Sequence, residues 1–129
     1  DPGGGNFEYT TEGLPHCIFV AVVPVSDLDR AIGFYRDLLG MEVTYRNEEE
    51  AGVRRESARL ILRKSDQVGV DTGIYMGVDD PYDLHRRLID EGVEFVQDPR
   101  RDPWGVSTAF RDYDRNVIRA MEMEAPVKF

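Results

Sequence analysis

Two stretches of this chain follow one plan, and that repetition constrains the fold more than any other feature of the sequence. LPHCIFVAVVPV is a nearly continuous apolar, β-branched run, which predicts a buried strand. In SDLDRAIGFYRDLLG, Leu28, Ala31, Ile32, Tyr35 and Leu39 recur at helical spacing. Ser26 with Asp29 three residues later has the form of a capping box, and Gly40 is the expected stop. MEVTYRNEE, GVRRESA and RLILRKSD then read as three short strands. The second half repeats the order. GIYMGV is a strand, and DDPYDLHRRLIDEG a helix capped by Asp79 or Asp80, with Pro81 in its first turn, Leu84 and Leu88 inward and Gly92 as its stop. VEFVQ, GVSTAFRD and VIRAMEME close it as strands. Superposing Val25 on Val78 places Asp27 on Asp80, so a βαβββ module occurs twice.

The expected fold class is therefore α+β: two tandem βαβββ modules with a shared concave groove, each helix covering one face of its sheet. Residues 1–13 are expected to be a flexible, glycine-rich arm, and residues 14–129 one domain with modules at about 17–66 and 71–124. The chain opens without Met, which suits a trimmed piece, and no stretch reads as a signal peptide or a membrane span. A net charge of -9 argues against nucleic acid as a partner. The lone Cys17 excludes an internal disulfide and a cysteine-based zinc cage, and fits a reducing cytoplasm.

Strand alternation assigns the faces. Phe19, Ala21, Val23, Leu60, Leu62, Ile74, Met76, Val78, Ile118 and Ala120 are expected toward the helices. Ile18, Val20, Val22, Arg59, Ile61, Arg63, Gly73, Tyr75, Gly77, Val117, Arg119 and Met121 then point into the groove, where a small-molecule site is expected.

Three stretches resemble the vicinal oxygen chelate superfamily of glyoxalases, extradiol dioxygenases, epimerases and bleomycin-resistance proteins. They are VVPVSDLDRAIGFYRDLLGMEVTYR, GVDDPYDLHRRLIDEGVEFVQDP and DPWGVSTAFRDYDRNVIRAMEM, together spanning roughly residues 17 to 124. The resemblance implies paired modules around a cavity, commonly a homodimer, and a divalent metal held by His, Glu or Gln on inner strands. The matching positions here are Val20, Ile61, Gly73 and Arg119. None offers a metal a donor atom, and arginine would repel a cation. In the closing turn, DYDRN stands where the family has DPDGN, with Arg115 in place of glycine.

These observations lead to an expectation of no metal, no cofactor and no catalytic residue. The expected ligand-binding residues are Arg119, Tyr75, Trp104, Met121, Val20, Ile61, Arg59 and Arg63. Arg59 and Arg63 read as residues near a sheet edge that snorkel to water. Arg119 either clamps an anionic or planar ligand or pairs with an acidic neighbour. His16, His85 and Cys17 read as structural or surface residues, with Cys17 at the start of a buried strand. The leading functional expectation is a small-molecule binding protein that sequesters a drug or metabolite. Two alternatives stay open: a metal-dependent lyase, dioxygenase or epimerase with non-standard ligands, and an interaction protein whose groove is filled by its own side chains.

Overall fold

A computed structural model describes residues 12–125 and Val127 of the chain. It is an α+β fold of two tandem βαβββ modules, each a four-stranded sheet with one helix. The first contains β1 (Ala21–Val25), α1 (Leu28–Ile32), β2 (Glu42–Arg46), β3 (Glu50–Arg55) and β4 (Ala58–Lys64). The second contains β5 (Asp71–Val78), α2 (Pro81–Asp90), β6 (Phe95–Asp102), β7 (Gly105–Arg111) and β8 (Val117–Glu122). The sheets run β1-β4-β3-β2 and β5-β8-β7-β6. In each, the opening strand lies parallel to the closing one and the other pairs are antiparallel.

Alternation explains which face each sheet buries. Val23, Val25, Leu60, Leu62, Ile118 and Ala120 are fully buried, with Ile74, Met76 and Val78 packed against them. The core is continuous across both modules, taking in Leu28, Ala31, Ile32, Leu88 and Phe110. Asp27 and Asp80 are the two N-caps, accepting from the backbone N–H of Arg30 and Tyr82. Gly40 and Gly92 end the helices at φ of +72° and +80°, a region that glycine enters without steric cost.

Four expectations change. The expected capping box does not form, because Asp27 caps α1 and the Ser26 hydroxyl donates to Asp114 instead. The opening strand is short: β1 begins only at Ala21, while His16, Cys17, Ile18 and Phe19 are exposed, Ile18 at 91% and Phe19 at 66%. Phe19 therefore lies outside the core and Cys17 outside any buried strand. Beyond Ile32 the helix continues as a π-helical stretch, Gly33–Leu38. Its wider turn rotates neighbouring side chains less than an α turn does, so Phe34 is buried beside Tyr35 although it falls off the 3.6-residue stripe. Finally, β4 is an interior strand, so Arg59 and Arg63 sit near its two ends rather than at a sheet edge. The arm expected over residues 1–13 lies, apart from Glu12 and Gly13, outside the described residues.

A buried polar knot joins the modules. Asn116 Oδ1 accepts from the N–H groups of Gly69 and Val70, and its Nδ2 donates to Pro24 O at 2.8 Å and Asp112 Oδ2 at 3.0 Å. Asp112 Oδ1 accepts from the N–H groups of Asp114 and Asn116, while Oδ2 also accepts from the Tyr35 hydroxyl at 2.6 Å. Each such bond contributes about 0.5–1.5 kcal/mol net, and a buried partner left unmatched costs more. Arg115, where glycine was expected from the resemblance, takes the left-handed conformation at φ +67°. The turn keeps its left-handed shape and bears the strain.

Candidate functional site

The faces turned away from the helices are partly open to solvent, exposed at Val22 and Tyr75 and buried at Gly52, Ser107 and Ala109. On the second sheet, Tyr75, Arg119, Ala109 and Gln97 form one row across the strands, and Gly77, Met121 and Ser107 the next. Arg119 answers the question its position raises. Its Nη1 and Nη2 donate to Asp71 Oδ1 and Oδ2 at 2.6 and 3.0 Å, a two-pronged ion pair, and its guanidinium carbon lies 5.8 Å from the Tyr75 ring centroid. The fork fits a carboxylate and the ring face attracts the cation.

A bulge brings Asp71 there. Between Asp71 and Tyr75 the register to β8 slips, with Asp71 opposite Val117 and Tyr75 opposite Arg119. Gly73 occupies the bulge at φ +70°, and its N–H donates to Asp71 Oδ1. Thr72 locks the other side, donating to Val117 O and accepting from the Ile74 N–H. Hydrogen bonding to Arg119 holds the Asp71 carboxyl below its ordinary range, and the same bond raises Arg119.

The first sheet carries a second cluster. Val22, Ile61, Gly52 and Tyr45 lie in one row. Gly52 leaves room for the Tyr45 ring, since a Cβ there would meet Tyr45 Cε1 at 2.4 Å. Tyr45 and Arg63 both donate to Glu50, and Arg59 lies over the Phe19 ring at 4.8 Å. Val22 and Tyr75 are 46% and 53% exposed, so both sheets present apolar surface to solvent.

Of the expected site residues, the structure gathers Arg119, Tyr75 and Met121 on the second sheet and Ile61, Arg59 and Arg63 on the first. Val20 precedes β1, and Trp104 lies in the β6–β7 turn, at the opposite end of its sheet from Asp71. Asp71, Tyr45 and Glu50 were missed. Asp-x-Gly in VDTG was a readable turn signal for Asp71, whereas the pairing of Tyr45 and Glu50 depends on the bulge between Val43 and Tyr45. His85 Nε2 lies 3.3 Å from Asp98 Oδ1, with its ring edge-on to Phe95.

A divalent metal does not fit the side chains at Val20, Ile61, Gly73 and Arg119. Three have no donor atom, and the fourth is a guanidinium already held by a carboxylate. Among the described residues, no three His, Cys, Asp or Glu side chains gather at metal-binding spacing. No helix among the described residues is long and apolar enough to cross a membrane.

Residues 13–120 match the family model described as Glyoxalase/Bleomycin resistance protein/Dioxygenase superfamily. No curated protein matches the chain. Among solved structures, TnmS3, an antibiotic binding protein from Streptomyces sp. CB03234, is similar at 25% identity and a TM-score of 0.74, over 87% of this chain and 98% of that one. A glyoxalase/bleomycin resistance protein from the same organism is similar at 26% identity and a TM-score of 0.66, over 79% and 96%. A lactoylglutathione lyase from Agrobacterium tumefaciens shares the fold at 19% identity and a TM-score of 0.71, over 84% and 94%.

Proposed function

We propose that this chain, which belongs to the glyoxalase/bleomycin resistance protein/dioxygenase superfamily, binds a small organic molecule on its helix-free faces and carries out no metal-dependent chemistry there. The observation that carries this reading is the Arg119–Asp71 pair under Tyr75. At the position where the family resemblance calls for a ligating carboxylate stands a cation, neutralised from within the chain. The similarity to an antibiotic binding protein supports the same reading.

The ligand class follows from charge. Arg119 is paired with Asp71 and Arg63 with Glu50, while Arg59 lies over Phe19. With two of the three guanidiniums matched by carboxylates, these faces suit a planar, weakly charged molecule that stacks on Tyr75 and takes hydrogen bonds from Arg119. Met121, Ile61, Val20 and Val22 supply apolar contact, with Arg59, Arg63 and Trp104 at the periphery. A homodimer that closes these faces around the ligand completes the proposal, and a single cysteine supports a reducing compartment such as the cytoplasm.

Trp104 is the chain's single tryptophan and serves as the reporter. Titration with bleomycin and with a planar acridine should quench or shift its emission saturably for at least one of them. Arg119→Ala and Tyr75→Ala should each weaken that binding about tenfold or more, the scale of one charge-assisted or stacking contact. Binding by neither probe, together with chelator-sensitive turnover of the methylglyoxal–glutathione hemithioacetal, would overturn the proposal in favour of a metalloenzyme.

A further inference from the structure

A second concavity lies at the module junction, built by different residues from the helix-free faces. It is a cavity of about 290 Å³ lined by Arg30, Phe34, Glu94, Arg111, Tyr113 and Arg115, among others. α1 contributes Arg30 and its π-helical extension Phe34. Glu94 comes from the segment between α2 and β6, Arg111 from the end of β7, and the other two from the closing turn.

Its charge is unlike the chain's. The molecule carries a net charge of -9, yet three guanidiniums converge here against the carboxylates of Glu94 and Asp112. Asp112 is buried, and both its oxygens already accept hydrogen bonds within the knot. Glu94 is shared: Oε1 accepts from Arg115 Nη1 at 2.8 Å, while Oε2 lies 3.5 Å from Arg111 Nε. That second approach is an ion pair without hydrogen-bond geometry, and the buried Arg111 Nε finds no acceptor among the described residues. Arg111 Nη1 donates to Arg115 O, which fixes the two arginines relative to each other. Arg30 lies over the Tyr113 ring, 5.2 Å from its centroid, and enters no ion pair among the described residues. One carboxylate thus serves two arginines, and a third has none.

We propose that this junction cavity binds the phosphate of a small phosphate monoester. A phosphate dianion presents three oxygens, enough to engage Arg30 and Arg115 together, and arginine forks match its geometry. Tyr113, which is partly exposed, gives the cavity an aromatic side against which the organic part of the ester rests, with the buried Phe34 packed behind it. The volume admits a small metabolite and little more. The site stands apart from the binding proposed on the helix-free faces and does not depend on it.

The test is calorimetric titration of the full chain with inorganic phosphate, phenyl phosphate and benzoate in matched chloride buffer. Phenyl phosphate should bind saturably and more tightly than the other two. Arg30→Gln and Arg115→Gly should each weaken it about tenfold or more while keeping the thermal midpoint near that of the parent. Glycine at 115 suits the left-handed φ of that residue. Arg86→Gln removes an equal charge from α2, away from the cavity, and should leave the affinity unchanged. No saturation, benzoate binding as tight as phenyl phosphate, or an equal loss in Arg86→Gln would overturn the assignment.

Discussion

Tyr35 has no solvent exposure, and its hydroxyl reaches Asp112 across the module junction. Burial, and then the Asp112 carboxylate, push its pKa well above the ordinary value. In the unfolded chain the phenol ionises near pH ~10, whereas in the fold it keeps its proton. Its contribution to stability is therefore fully present below that pH and is lost as the pH rises toward the folded value. Urea midpoints measured from pH 8 upward should fall above about pH 10, and Tyr35→Phe should flatten that fall. At neutral pH the same substitution should cost about 1–3 kcal/mol, because Asp112 stays buried and loses a donor. An unchanged alkaline slope would mean that another group titrates. None of this was legible beforehand. Tyr35 was read as one member of an apolar stripe, and its partner lies 77 residues away. Ser26 was misread for the same reason: local spacing offered Asp29, but the distant Asp114 took the hydroxyl.

At the scale of elements, the bulge in β5 matters more than the residues it carries. Gly73 has open space where a Cβ would go, so replacing it meets no clash and costs only the left-handed backbone. Gly73→Ala should destabilise by about 1–2 kcal/mol, measurable by denaturant unfolding. It should also weaken ligand binding on that face, because the bulge holds the Asp71 carboxylate within reach of the Arg119 guanidinium. Full affinity in a destabilised Gly73→Ala would show that the pair is not part of the site. Strand faces could be read from alternation because a period of two needs no knowledge of the partner strand. Bulges could not: a slipped register belongs to two strands at once, so the Tyr45–Glu50 pair was missed, and the readable Asp-x-Gly turn at Asp71 did not disclose that its carboxylate meets Arg119. The π turn hid Phe34 similarly, since a 3.6-residue period assumes an unbroken α-helix.

For the whole molecule, the open faces make an assembly prediction. Val22 and Tyr75 stand half-exposed on the helix-free sides, apolar surface that a monomer would leave in water. Light scattering after gel filtration should give twice the 14.7 kDa chain mass, and Val22→Glu with Tyr75→Glu should return it to one. A single-chain mass at every concentration would leave the proposed closed site without its second wall. The tandem architecture itself was readable, because two caps, two stop glycines and two strand triplets recur in the same order, the glycines matching to within one residue. The junction between the halves was not, being made by groups that no repeat encodes. That junction also fixes an order of events during synthesis. The Pro24 carbonyl and the Tyr35 hydroxyl emerge from the ribosome well before their partners at Asn116 and Asp112, which lie 92 and 77 residues further along the chain. The first half must wait with those groups in water until the second module has been made, so the two modules mature together in one step.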